Sequence, residues 1–237
     1  MAGGGLERLT VGTRARFADR RAAGRQLARA LARKHLRAPV VVLGLPRGGV
    51  PVAYEVARLL RAPLDVMPVR KVGMPGQPEV ALGAIAASGV IVRSALGESG
   101  LEPGAQEFAA LAAREELELL RRERLYRAGR GALELSGKTV IMVDDGLATG
   151  ATMLAAVRAA RKAGAAVIVA AAPIGSDEAA ALIGPECDDT VILAIPPSLV
   201  AVGAWYEDFS QVEDREVCEL LREASLYDFA GRSRRDM

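Results

Sequence analysis

Residues 140–152 read Val-Ile-Met-Val-Asp-Asp-Gly-Leu-Ala-Thr-Gly-Ala-Thr, an apolar run ending in two adjacent acids and a turn of small residues. A carboxylate only accepts hydrogen bonds, so Asp144 and Asp145 together suit the two protons of a cis-diol. The turn behind them suits a different group. Gly146 and Gly150 let successive backbone N–H groups converge, and a helix starting near Gly150 brings its positive end there, which together cradle a phosphate. Thr149 and Thr152 add hydroxyl donors. The acids would repel that phosphate, so the stretch divides into a diol site and an anion site, as a ribose 5-phosphate requires. Other phosphate loops do not fit: Gly146 and Gly150 stand too close for GxxxxGK[ST], no lysine follows, and GxGxxG is absent. Two carboxylates at a buried strand end would be costly without a ligand, which argues against a purely structural turn.

Few other chemistries have the material. The chain has one histidine, His35, and two cysteines, Cys187 and Cys218, with no CxxC pair. A Cys/His zinc site needs about four ligands. A Ser-His-Asp system would have to recruit His35 from an arginine-rich helical pattern with no nucleophile motif nearby. The cysteines read as free thiols of a reducing compartment, and no signal-peptide or membrane-length apolar run is present, so a cytoplasmic location is expected. At 237 residues, 51% apolar and 25% charged, the chain is expected to fold as one domain with a sizeable core. A net charge of +2 and 4% aromatics give little support for a nucleic acid partner.

The elements that must position Asp144 and Asp145 are legible as apolar, β-branched runs alternating with helical patterns, which predicts a mostly parallel sheet covered by helices. Strands are expected at 40–44, 64–69, 139–143, 167–172 and 190–195, with one or two more in 84–92. Helices are expected at 51–61, 102–130, 150–163 and 178–183, the third closed by Gly164. Gly73-Met-Pro-Gly-Gln-Pro78 reads as a mobile loop. Residues 14–37 carry nine basic residues and one acid, with Phe17, Leu27, Leu31 and Leu36 spaced for a buried stripe. An amphipathic helix with a solvated basic face is the simple expectation, a nucleic acid footprint the sharper one.

With these residues in view, 140–152 closely resembles the stretch by which type I phosphoribosyltransferases hold 5-phosphoribosyl-1-pyrophosphate (PRPP), in a form most like that of adenine phosphoribosyltransferases. Three other segments are similar to the same family. Leu45-Pro-Arg-Gly-Gly49 follows the first core strand, where the family has its pyrophosphate loop. Val69-Arg-Lys-Val-Gly73 resembles the RKPG stretch that leads into a loop closing over the reaction. Trp205-Tyr-Glu-Asp-Phe-Ser-Gln211 lies where the family places part of a hood over the acceptor. The resemblance spans roughly residues 15–225 and is shared with bacterial phosphoribosyltransferases of unassigned substrate.

The resemblance implies a core of about 38–196, an N-terminal helix of about 14–37 and a C-terminal hood and helix of about 197–229. It implies transfer of phosphoribosyl from PRPP to a small nitrogenous acceptor with release of pyrophosphate. Asp144 and Asp145 would hold the ribose hydroxyls. Gly146, Leu147, Ala148, Thr149, Gly150, Ala151 and Thr152 would hold the 5-phosphate. Pro46, Arg47, Gly48 and Gly49 would hold pyrophosphate from one side, with Arg70 or Lys71 from the other, across a homodimer interface as in relatives. Trp205 would line the acceptor pocket. Mg²⁺ would be carried mainly by PRPP, with Asp144 and Asp145 reaching it indirectly. The hypoxanthine and guanine enzymes carry an aspartate general base where this chain has Ala148, which disfavours those acceptors and leaves Glu79 as the acid–base candidate. A PRPP-sensing regulator on the same fold is the alternative, with the basic helix binding nucleic acid.

Overall fold

The computed structural model describes residues 16–75, 77–86, 90–93, 105–131 and 133–232, with the backbone alone at 77–81, 105 and 227–232. Its centre is a five-stranded parallel sheet of β1 (Val40–Gly44), β2 (Leu64–Val66), β6 (Thr139–Val143), β7 (Val167–Ile174) and β8 (Asp189–Ala194), in the order 2-1-6-7-8. Alternate residues of β1, β6, β7 and β8 feed two separate cores, while β2 feeds only the first, through Leu64 and Val66. Val42, Ile141, Val143, Val169, Ala171, Val191 and Leu193 pack under α1 (Arg20–Leu31), α2 (Gly49–Leu60) and α6 (Asp214–Arg232). Val41, Leu43, Val140, Met142, Ile168, Ala170 and Ile192 pack under α4 (Ala151–Lys162) and α5 (Asp177–Ile183). Strands buried on both faces read as continuous apolar runs, which is why 139–143 and 167–172 were legible.

The Gly/Pro stretch is not the loop expected. Residues 69–74 and 77–86 form antiparallel strands β3 (Val69–Met74) and β4 (Gln77–Ala86), paired from Val69↔Ala86 to Met74↔Gln77 with a bulge at Gly73, and β5 (Ile91–Arg93) completes a second, three-stranded sheet. The expected strand 64–69 is therefore two: β2 ends at Val66, and the chain leaves the parallel sheet before β3. Glycine and proline punctuate an irregular hairpin as readily as a loop, and only the pairing partner distinguishes them. One face of the small sheet joins the core under α4 through Val69, Ala84 and Ala86. The other, through Val72, Leu82 and Ile85, is capped by Phe108, Ala112 and Leu119 of α3 (Ala105–Tyr126). Among the described residues no helix is long and apolar enough to cross a membrane.

Helix α1 starts where Asp19, in an extended conformation, takes the Ala22 N–H on its side chain at 2.6 Å. That cap fixes the helix phase, turning Ala23, Leu27 and Leu31 into the core and Arg20 toward the end of β6.

Candidate functional site

The chain runs outward from β1 to β2 on one side and from β6 to β7 and β8 on the other, so β1 and β6 flank the point where the strand order reverses. The crevice beyond their carboxyl ends is where open α/β sheets bind ligands. Two loops meet in it. Residues 45–49 leave β1, with the Leu45 N–H on the Val143 carbonyl at 2.8 Å and a cis peptide between Pro46 and Arg47. Residues 144–150 leave β6. A Cβ on Gly49 would stand 2.6 Å from the Val143 oxygen, and one on Gly48 would overlap Asp145. Glycine is needed at both positions for the loops to touch.

Asp144 and Asp145 each commit one oxygen to the protein. Asp144 Oδ1 accepts the Asp145 N–H at 2.8 Å, and Asp145 Oδ2 accepts Arg20 Nε at 2.7 Å. The two carboxyls also contact each other, and apart from Arg20 and the Asp145 N–H no described residue donates to either. Burial and the neighbouring Asp145 charge push the Asp144 carboxyl well above the usual aspartate range. Burial also raises Asp145, against the opposing pull of Arg20. The guanidinium in contact favours ionised Asp145, so the upward shift of the pair falls chiefly on Asp144.

The loop behind the acids is fastened at its middle: the Leu147 N–H donates to the Ile174 carbonyl, and Ser176 donates its N–H to Leu147 and its Oγ to the Ala148 carbonyl. Beyond that anchor the amides of Ala148, Thr149 and Gly150 meet no backbone acceptor among the described residues. Helix α4 begins at Gly150 without a side-chain cap, and the first-turn amides of Ala151 and Thr152 add to the set, with Thr149 Oγ1 a distant 3.5 Å from Ala151 N. These donors and the helix dipole make an anion cradle. Gly150 itself has φ +78°, and a Cβ there would meet Ala179 at 3.1 Å. The fold demands this glycine whether or not a phosphate does.

The other expected residues are only partly brought together. Arg47 is half-buried on the first loop, its guanidinium 3.9 Å from Asp214, which also takes the Tyr126 hydroxyl. Arg70 and Lys71 are adjacent on β3 and so face opposite ways. Arg70 lies on the α3 side, held by Glu115 at 2.6 and 2.8 Å. Lys71 is exposed and shares its face with Val69, on the α4 side. Glu79 falls on β4, and its side chain lies outside the described residues. Trp205 is half-buried against the main core, in a turn of 3-10 helix, Val202–Trp205, and its carbonyl accepts the Phe17 N–H. Its neighbour Tyr206 is the aromatic that reaches the site, donating its hydroxyl to the Asp145 carbonyl. Burial and the Asp145 charge raise the Tyr206 phenol above its usual value and keep it a donor.

Sequence reasoning missed Arg20. Its Nη1 donates to the Ser210 carbonyl at 2.8 Å, and its guanidinium lies 3.8 Å over the Phe209 ring. The basic face of α1 is thus not simply solvated. Arg20 serves Asp145, and Arg21 and Arg25 serve the buried Glu55 of α2, at 2.8 and 3.7 Å. One arginine among nine basic residues carries no sequence signal for such a contact. Only the helix phase and the docking of α1 select it.

Residues 16–201 match the family model for the phosphoribosyl transferase domain. The chain is 48% identical over 214 residues to a Mycobacterium tuberculosis protein provisionally named a phosphoribosyl transferase, present in strains CDC 1551 and H37Rv. That alignment covers 90% of this chain and 48% of the relative, so the chain spans about half the length of the curated relatives it matches. Among solved structures it resembles the crystal structure of TT1426 from Thermus thermophilus, with a TM-score of 0.74 and 45% identity, covering 88% of this chain and 98% of that one.

Proposed function

The chain belongs to the phosphoribosyl transferase family, and on that premise we propose that it transfers 5-phosphoribosyl from PRPP to a small nitrogenous acceptor, releasing pyrophosphate. One observation carries the reading: two adjacent buried carboxylates, with Arg20 and the Asp145 N–H as their only donors among the described residues, stand beside a loop of uncommitted amides at a helix start. Two hydroxyls and one phosphate fit that arrangement. Asp144 and Asp145 take the ribose hydroxyls, and the loop 146–152 takes the 5-phosphate through the amides of Ala148–Thr152, with Leu147 anchoring it.

The 45–49 loop packs against the acids through Gly48 and Gly49, which supports assigning Pro46, Arg47, Gly48 and Gly49 to the leaving pyrophosphate. Close backbone approach and the Arg47 charge stabilise the negative charge that grows there. In the transfer, the acceptor nitrogen bonds to the anomeric carbon as the bond from that carbon to the pyrophosphate oxygen breaks. The acceptor's proton leaves to a base. Lys71 approaches from the hairpin side, and Glu79 is the acid–base candidate by its place on β4. The hard carboxylate oxygens of Asp144 and Asp145 suit a magnesium ion brought by PRPP, which these two residues would help to hold indirectly. When bound, it supplies charge neutralisation at the pyrophosphate. Among the described residues no cluster of three or more His, Cys, Asp or Glu forms a separate metal site.

Calorimetric titration with PRPP and Mg²⁺, followed by pyrophosphate release against a panel of nitrogenous acceptors, tests the proposal. Binding with turnover on at least one acceptor is expected. Absence of PRPP binding would overturn it. Binding with no release on any acceptor would favour a PRPP sensor, although the charges such a regulator would offer nucleic acid are partly engaged inside the molecule, at Arg20, Arg21 and Arg25.

A further inference from the structure

Arg20 is nine-tenths buried and touches two parts of the molecule at once. Its Nε closes on Asp145 Oδ2, its Nη1 holds the Ser210 carbonyl, and its guanidinium plane lies on Phe209. The segment 206–210 is tied to the acid loop a second time, through the Tyr206 hydroxyl on the Asp145 carbonyl. Asp145 is thereby fixed at both its main chain and its side chain. Its Oδ2 is also walled off by Gly48, where even a Cβ would overlap it. Oδ1 is the Asp145 oxygen that Arg20 leaves open, on a carboxyl that also lies against Asp144.

We infer that Arg20 is a positioning residue for sugar recognition: it locks Asp145 so that a single oxygen faces the ligand, restricting that carboxylate to one hydroxyl of the diol. The inference rests on the ribose 5-phosphate reading of the site. Asp144, with its own Oδ1 held by the Asp145 amide, then takes the other hydroxyl. Without Arg20, Asp145 is free to rotate and to hydrate. Its charge-assisted hydrogen bond to the sugar is then weakened, while that of Asp144 is kept. A merely structural role for Arg20 would lower affinity for every ligand alike.

The test measures the affinities of ribose 5-phosphate, 2-deoxyribose 5-phosphate and 3-deoxyribose 5-phosphate for the full chain and for Arg20→Ala. The unaltered protein should bind each deoxy sugar at least about tenfold more weakly, the scale of one hydrogen bond to a charged group. In Arg20→Ala one of the two penalties should shrink to about threefold or less, with the other unchanged, and Arg20→Lys should restore part of it. Arg20→Met, which keeps bulk over Phe209 without charge, should give the same pattern and covers the case in which alanine prevents folding. Equal losses for all three sugars, or two unchanged penalties, would overturn the role of Arg20 and leave the site reading standing. If the unaltered protein discriminated against neither deoxy sugar, the diol reading would fall and this inference with it.

Discussion

A Cβ on Gly48 would stand 1.9 Å from Asp145 Oδ2, so the loops after β1 and β6 meet at a point that admits no side chain. Gly48→Ala must displace either the 45–49 backbone or the acid. A destabilisation of about 1–3 kcal/mol is expected from the forced shift, with loss of most PRPP affinity. Gly184, with φ −51° and nothing within 4 Å of its added Cβ, provides the contrast. Gly184→Ala should stabilise by roughly 0.4–1 kcal/mol and leave binding alone. Thermal melts and calorimetry on both variants check the pair.

Asp144→Asn should trade binding for stability. In the folded state Asp144 holds its proton to higher pH than in the unfolded chain, through burial and the Asp145 charge. Its favourable contribution is therefore whole below the ordinary aspartate value and is lost as pH rises through the raised folded value. Near neutral pH the ionised group costs stability, and a neutral amide removes that cost. The ligand-free variant should melt higher than the parent at neutral pH, and the two should converge below about pH 4. PRPP binding should fall sharply. A parent protein that melts higher than the variant at every pH would show that Asp144 is not the strained acid of the pair.

Lys71 and Arg70 should separate by function despite being neighbours. Arg70 is satisfied by Glu115 on the α3 side, so Arg70→Ala should cost at most about 1 kcal/mol of stability and leave PRPP affinity intact. Lys71 lies on the α4 face of the hairpin. Lys71→Ala should lower single-turnover rate more than PRPP affinity, because its contact strengthens as charge develops on the leaving group. A loss confined to affinity would remove Lys71 from catalysis.

Glu55 should prove structural. It is 2% exposed and serves Arg21, Arg25 and Arg58, which are each about half exposed. Glu55→Ala should cost on the order of 2–3 kcal/mol, less than for a fully buried pair because the arginines rehydrate. PRPP affinity of the folded fraction should be unchanged in calorimetry.

The sequence by itself determined the parallel sheet and put two acids and a glycine turn at the end of β6. Strands buried on both faces must be continuously apolar, and two acids followed by a glycine turn have few other uses. It also placed the loop after β1, because Arg47 between a proline and two glycines stands out. Tertiary structure decided what depends on partners distant in the chain. Residues 69–74 became a strand only because 77–86 fold back on them, and that pairing sent Arg70 to α3 and Lys71 to the other face. Tyr206 rather than Trp205 reaches the acids, since docking against Phe17 sets which of two adjacent aromatics points inward. Arg20 meets Asp145 across 125 positions of sequence, through the phase of α1 and its packing on α2. Local pattern reports which groups a chain carries along each element. Which two of them touch is fixed when the elements pack, and at this site that contact gives one oxygen of Asp145 to Arg20.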